Sequence, residues 1–182
     1  MGALGNVLAA ITIAPTMVRQ VAVDFSSLPA FIAAVFGGPV VGALTGFIAG
    51  ILPSAFFGFI GGQLGILGFG TSVGKAISGF SVGLVTRMVK SSQNRTALLI
   101  PIVLLGFAPE AIWIYVLFTV LIPVFVPGQT FLSAFVVPIL VKAWFEVGLM
   151  SVFTSAIAGH SGFRAFLAHY VQATTFQSRR ST

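Results

Sequence analysis

The chain holds only three carboxylates, Asp24, Glu110 and Glu146, and each lies in or beside an apolar run. Lys75, Lys142 and Arg19 are cations in similar surroundings, and Lys142 and Glu146 stand four residues apart, on one face of a helix. A charge inside a bilayer costs several kcal/mol on insertion scales, at about 2.5–3.5, so such residues face a partner, water or a ligand. Two readings follow. In the first, the charges only neutralise one another, as Lys142 and Glu146 could. In the second, they line an outward-facing pocket with Gln63, Trp113, Tyr115, Trp144 and Gln129, suited to a polar, ring-containing ligand of modest size. Trp113 and Tyr115 also fit an interfacial aromatic belt.

Catalytic constellations are absent. The acids fall in different segments, and His160 and His169 stand nine apart in a basic tail with no carboxylate nearby. There is no cysteine, hence no thiolate metal site or cysteine nucleophile. No P-loop pattern occurs, and Gly61-Gly62-Gln63-Leu64-Gly65 follows no predicted strand, so it is not a dinucleotide fingerprint. We expect no enzyme activity, no cofactor and no metal.

The elements that position these charges must sit in lipid. Of 182 residues, 57% are hydrophobic and 7% charged, and the mean hydropathy is +1.09. Soluble domains carry about 25% charged residues. Nine basic and three acidic side chains cannot clothe a soluble globule, which excludes a soluble enzyme, a disordered tail and a nucleic-acid-binding domain. Stretches such as Ile32–Phe36 and Ile112–Ile122 are apolar on both parities, against a barrel. The first charge is Arg19, so no positive region precedes the first apolar run and a cleaved signal peptide is not expected.

Charge gaps and Pro/Gly breaks predict an all-α integral membrane bundle of about six spans over 1–158 and a basic cytoplasmic tail over 159–182. The spans are Gly2–Val18, Leu28–Phe36, Val40–Leu52, Thr71–Val89, Thr96–Leu121 and Phe131–Ala158. Asp24-Phe25-Ser26-Ser27-Leu28-Pro29 reads as a helix start, with a capping Asp or Ser and Pro in the first turn. Pro53 ends or kinks the third span, and Ser54–Gly70, rich in Gly and Phe, reads as an apolar loop or re-entrant piece. The tail could form an amphipathic surface helix. The clusters Arg87/Lys90/Arg95 and Arg164/Arg179/Arg180 share a face, which the positive-inside rule makes cytoplasmic, with both termini there in the cell membrane.

Gly38, Gly42, Gly46 and Gly50 recur every four residues, and Gly2, Asn6, Ala10 and Ala14 form a second small-residue stripe. Such stripes let helices pack closely in lipid. The first reads as packing within the bundle. The second reads either so or as a flat surface that docks a partner's helix.

The run Asp24–Pro29 followed by Phe36-Gly37-Gly38-Pro39-Val40-Val41-Gly42-Ala43-Leu44-Thr45-Gly46-Phe47 resembles the substrate-binding S components of energy-coupling factor (ECF) transporters. Ala10 and Ala14 match their first-span Ala-x-x-x-Ala pattern. The resemblance implies a subunit that captures a vitamin or related micronutrient, docks through Asn6, Ala10 and Ala14 on a membrane coupling subunit, and is driven by two cytoplasmic ATPases. The short second and third spans and the long Gly/Phe-rich region depart from that pattern. The rival readings are a stand-alone transporter or channel, a membrane-embedded enzyme and a structural assembly subunit.

Overall fold

The computed structural model describes residues 1–16, 23–60, 64–89 and 96–166, and within them it is all-helical, with no strand. The helices are α1 (Gly2–Thr16), α2 (Leu28–Gly37), α3 (Pro39–Ala49), α4 (Ile51–Ala55), α5 (Gly70–Met88), α6 (Leu99–Val116), α7 (Ile122–Phe125) and α8 (Val136–Gly159). Several are joined end to end. The helical stretches Pro39–Ile60, Thr96–Phe125 and Leu132–Gly159 have 22, 30 and 28 residues and are long and apolar enough to cross a membrane.

The glycines of α3 explain the centre of the bundle. A Cβ on Gly42 would collide with the carbonyl of Gly79, and one on Gly79 with the carbonyl of Gly42. Gly46 lies against the Lys75 carbonyl, Gly50 against Ser72, and Gly83 against Gly38 and Pro39. Two backbones thus touch, antiparallel, along the whole of α3. The stripe packs the bundle internally, as its spacing suggests. Its far end requires glycine for a second reason: Gly38 has φ +85°, a conformation open to glycine, and the Arg87 guanidinium fills the place of a side chain.

Pro53 does not end a span. Helix α3 stops at Ala49, the chain turns at Gly50, and α4 restarts at Ile51. Pro53 therefore sits in a first turn, where its missing N–H costs little. The break is closed from outside. The Asn6 amide donates to the Ile48 carbonyl at 2.9 Å, and its oxygen accepts from the Leu52 N–H at 2.9 Å. One side chain replaces the backbone bond that Ile48 and Leu52 would make in an unbroken helix. The helix then continues through a π-turn, Phe56–Ile60, and a 3-10 turn covers Gly65–Phe69. The expected loop over Ser54–Gly70 is thus half helix, because the restart at Gly50 resets the reading of Pro53.

Helices α1 and α2 divide the height of the bundle between them. On α1, Gly2 lies beside Ile48 and Gly5 beside Ala49, while Ala9 and Ile13 pack with Leu52, Phe56 and Phe57. Helix α2 begins beside Lys75, where Ser27 is bonded to it, and ends beside Arg87. It has 10 residues, about 15 Å at 1.5 Å per residue, against a hydrocarbon core of about 30 Å. It is not a lipid-facing span: Pro29 to Val35 are all buried, and Phe31, Ala34 and Val35 form the core with Val82, Val103, Phe107 and Met150. Beyond α8, residues 161–166 are helical, and Phe163 meets Phe36 edge-to-face at 5.7 Å between centroids. The rest of the proposed tail helix lies outside the described residues.

Candidate functional site

Where α1 and α2 hand over, the segment Val23–Ser27 brings a carboxylate to mid-bundle. Asp24 Oδ2 accepts from Lys75 Nζ at 2.8 Å, and its Oδ1 accepts from the Ser26 N–H at 2.8 Å. Lys75, only 4% exposed, reaches this depth because α5 is held against α3 by backbone contact. Its ammonium also donates to Ser27 Oγ at 2.9 Å. Ser27 occupies the N-cap of α2 but makes no capping bond; its hydroxyl serves the lysine instead.

Glu146 joins from α8. Its Oε1 accepts from the backbone N–H of Asp24 at 3.0 Å, and its Oε2 pairs with Lys142 Nζ at 3.1 Å, one turn earlier. Lys142 therefore neutralises Glu146, as their spacing suggests, but the pair is also tied to a loop from the other end of the sequence.

Glu110 completes the group from α6. It is 8% exposed, lies against Gly74, and interacts electrostatically with both Lys75 and Asp24. Among the described residues it forms neither of the two ion pairs. Ser78, one turn along α5 from Lys75, faces Glu110; its hydroxyl is fully buried and has no partner within bonding geometry. Every carboxylate of the chain thus meets at one place, supplied by four elements.

The aromatic candidates divide. Trp113 lines the group: a side chain on Gly74 would meet both Trp113 and Glu110, and its indole N–H donates to the Gly70 carbonyl at 2.8 Å. Trp144 is 40% exposed and stacks edge-to-face on Phe107 at 5.1 Å. Tyr115 is 54% exposed on the outer surface and does not join the charges. Arg19 and Gln63 lie outside the described residues, as does the Gln129 side chain. The serines 26, 27 and 78 were missed. Ser27 was visible only as a cap, and the single cue for Ser78 was its three-residue offset from Lys75.

The proposed docking stripe, Asn6, Ala10 and Ala14, does not coincide with the inward face of α1. Gly5, Ala9 and Ile13 are buried, and Asn6 is spent on the α3–α4 break, so the inward face of α1 is Gly2-Gly5-Asn6-Ala9-Ile13. Ala10 is exposed, and the side chain of Ala14 lies outside the description.

A family model described as the 5TMR of 5TMR-LYT, the five-transmembrane receptor of LytS-type histidine kinases, matches residues 2–158. The chain belongs to the 5TMR-LYT family. No curated protein and no solved structure matches it. This membership overturns the resemblance to ECF S components, and with it the vitamin-capture role, the coupling subunit and the two ATPases; a stand-alone transporter is not supported either. The physical reason lies in what the quoted motifs do. Gly38, Pro39 and Gly42 start α3 and seat it on Gly83 and Gly79. A helix-packing device of this kind serves any tight bundle and carries no function of its own. The 5TMR-LYT description has five spans where six were expected.

Proposed function

We propose that this chain is the membrane receptor module of a LytS-type signalling system and that its stimulus is received at the Asp24–Lys75–Glu110–Glu146 cluster. The observation that carries this reading is the convergence of all three carboxylates on one buried site fed by the 23–27 segment, α5, α6 and α8. A change of charge or occupancy there acts at once on the α1–α2 joint and on α8. Helix α8 leads to the basic tail, so it is the element through which such a change leaves the bundle. A two-state element biased by a local charge change is what membrane switching requires. The face bearing Arg87 and Arg164 is cytoplasmic in this reading, since two crossings, through Thr96–Phe125 and Leu132–Gly159, separate these residues.

The test is reconstitution with a LytS-type histidine kinase in lipid nanodiscs. Autophosphorylation is expected to depend on this chain and to change on Lys75→Met. Autophosphorylation indifferent to both the chain and the substitution overturns the reading.

A further inference from the structure

We propose that Phe36 and Phe163 form a latch that reports the charge cluster at the opposite end of the bundle: a shift of α2 relative to α8 at the cluster opens or closes the contact between α2 and the 161–166 segment. The inference rests on the reading of the cluster as the receiving site and names how that site is read out.

Two helices leave the cluster side by side. Helix α2 starts at Ser27, which is bonded to Lys75, and α8 carries Glu146, which accepts from the Asp24 N–H. The far end of α2, about 15 Å away, meets the chain beyond α8 again, where Phe36 packs edge-to-face on Phe163 at 5.7 Å between centroids. The two helices are thus tied twice, by a hydrogen bond to a carboxylate at the cluster and by one aromatic pair at the other end.

The far ends are otherwise anchored on different helices. Ser155 Oγ donates to the Thr96 carbonyl at 2.7 Å and Gly159 lies against Thr96, which fixes the end of α8 to the start of the Thr96–Phe125 stretch. Gly38, directly after α2, lies against Gly83 and Arg87 of α5. The ring pair bridges these two anchorages. Its segment joins α8 at His160, whose backbone is extended (ψ 121°) between two helical stretches, so 161–166 pivots without bending α8. Helix α2 is built to shift as a unit. It has 10 residues, carries no charge, and meets α3 where Ala34 lies against Gly42, with no long side chains to interlock. Aromatic pairs hold over centroid separations of about 4.5–7 Å, so a small slide of α2 is enough to lose the contact. Coupling between distant places needs an element that both bias, and α2 touches both.

The chain has no cysteine, which permits a single label. Phe163→Cys carrying bimane is reconstituted in lipid nanodiscs, with and without Phe36→Trp as a contact quencher. Phe36→Trp should lower the emission several-fold. Lys142→Met, which loosens the Glu146 clip on Asp24, should relieve much of that quenching while the folded peak in size-exclusion chromatography is kept. Phe153→Leu, on the exposed side of α8, should leave the quenching intact. Absence of quenching by Phe36→Trp, quenching unchanged in Lys142→Met, relief that comes only with loss of the folded peak, or equal relief in Phe153→Leu overturns the proposal. No kinase enters this experiment. A latch that answers Lys142→Met beside a kinase indifferent to the chain sinks the receptor reading and leaves the latch standing; a silent latch beside a responsive kinase does the reverse.

Discussion

The backbone N–H of Asp24 donates to the side chain of Glu146 across 122 residues of sequence. The bond clips the loop between the two half-height helices to the last helix of the bundle. Since Glu146 is also held by Lys142, the clip depends on a charge pair one turn away. Replacing Lys142 with Met should loosen the clip without emptying the site. Amide exchange at Asp24 and Ser26 should quicken several-fold, and global unfolding should shift by about 1–3 kcal/mol, because the pair is largely buried and Glu146 loses its partner. Unchanged exchange at Asp24 would show that the contact does not need Lys142.

Lys75 is buried with Asp24, and removing one member strands the other. Lys75→Met should cost about 3–5 kcal/mol, and the double variant Lys75→Met/Asp24→Asn should recover a large part of it. Thermal unfolding of the four proteins of that cycle in detergent gives the coupling directly. Additive losses would mean that the 2.8 Å contact carries no net energy.

Asn6 bridges a broken helix from outside. Asn6→Leu leaves the Ile48 carbonyl and the Leu52 N–H without a partner in an apolar setting. The expected loss is about 1–3 kcal/mol, with fast exchange confined to Gly50–Leu52. Asn6→Gln, longer by one methylene, should restore little, since both bonds need one geometry. Full stability in Asn6→Leu would mean that water or lipid headgroups satisfy the break.

Gly42 and Gly79 have their Cβ positions occupied by one another's carbonyl. Either glycine changed to Leu should drive α3 from α5 and displace Lys75. Loss of the folded bundle in size-exclusion chromatography is expected, whereas Gly128→Leu, with open space around it, should be neutral. Equal behaviour of the two substitutions would refute the close approach.

Composition and charge gaps were enough to read an all-helical membrane bundle, and the four-residue glycine spacing was enough to read its tightest interface. Both signals are local and repeated. The internal face of α1 was not legible, because Ala10-x-x-x-Ala14 is as good a stripe as Gly5-x-x-x-Ala9, and only the neighbour of the helix chooses between them. Pro53 looked like an end because the restart at Gly50 depends on Asn6, 46 residues from Leu52. The charged candidates were legible as residues too costly to leave in lipid. That five of them, Asp24, Lys75, Glu110, Lys142 and Glu146, belong to one group was not, since their meeting depends on long-range packing. The functional assignment failed for a related reason: motifs that seat one helix on another recur in bundles of unrelated roles.

The helices bound around this site are unequal in length. Thr96–Phe125 runs for 30 residues, about 45 Å at 1.5 Å per residue, beside α5 with 19 residues, about 28 Å. Both cannot stand upright in a hydrocarbon layer about 30 Å thick, so the longer leans or the lipid around it thickens. Because α5 and α6 carry Lys75, Ser78 and Glu110 on facing sides, a change of lean alters the spacing of those groups. Vesicles of graded acyl-chain length therefore offer a mechanical handle on the same few side chains.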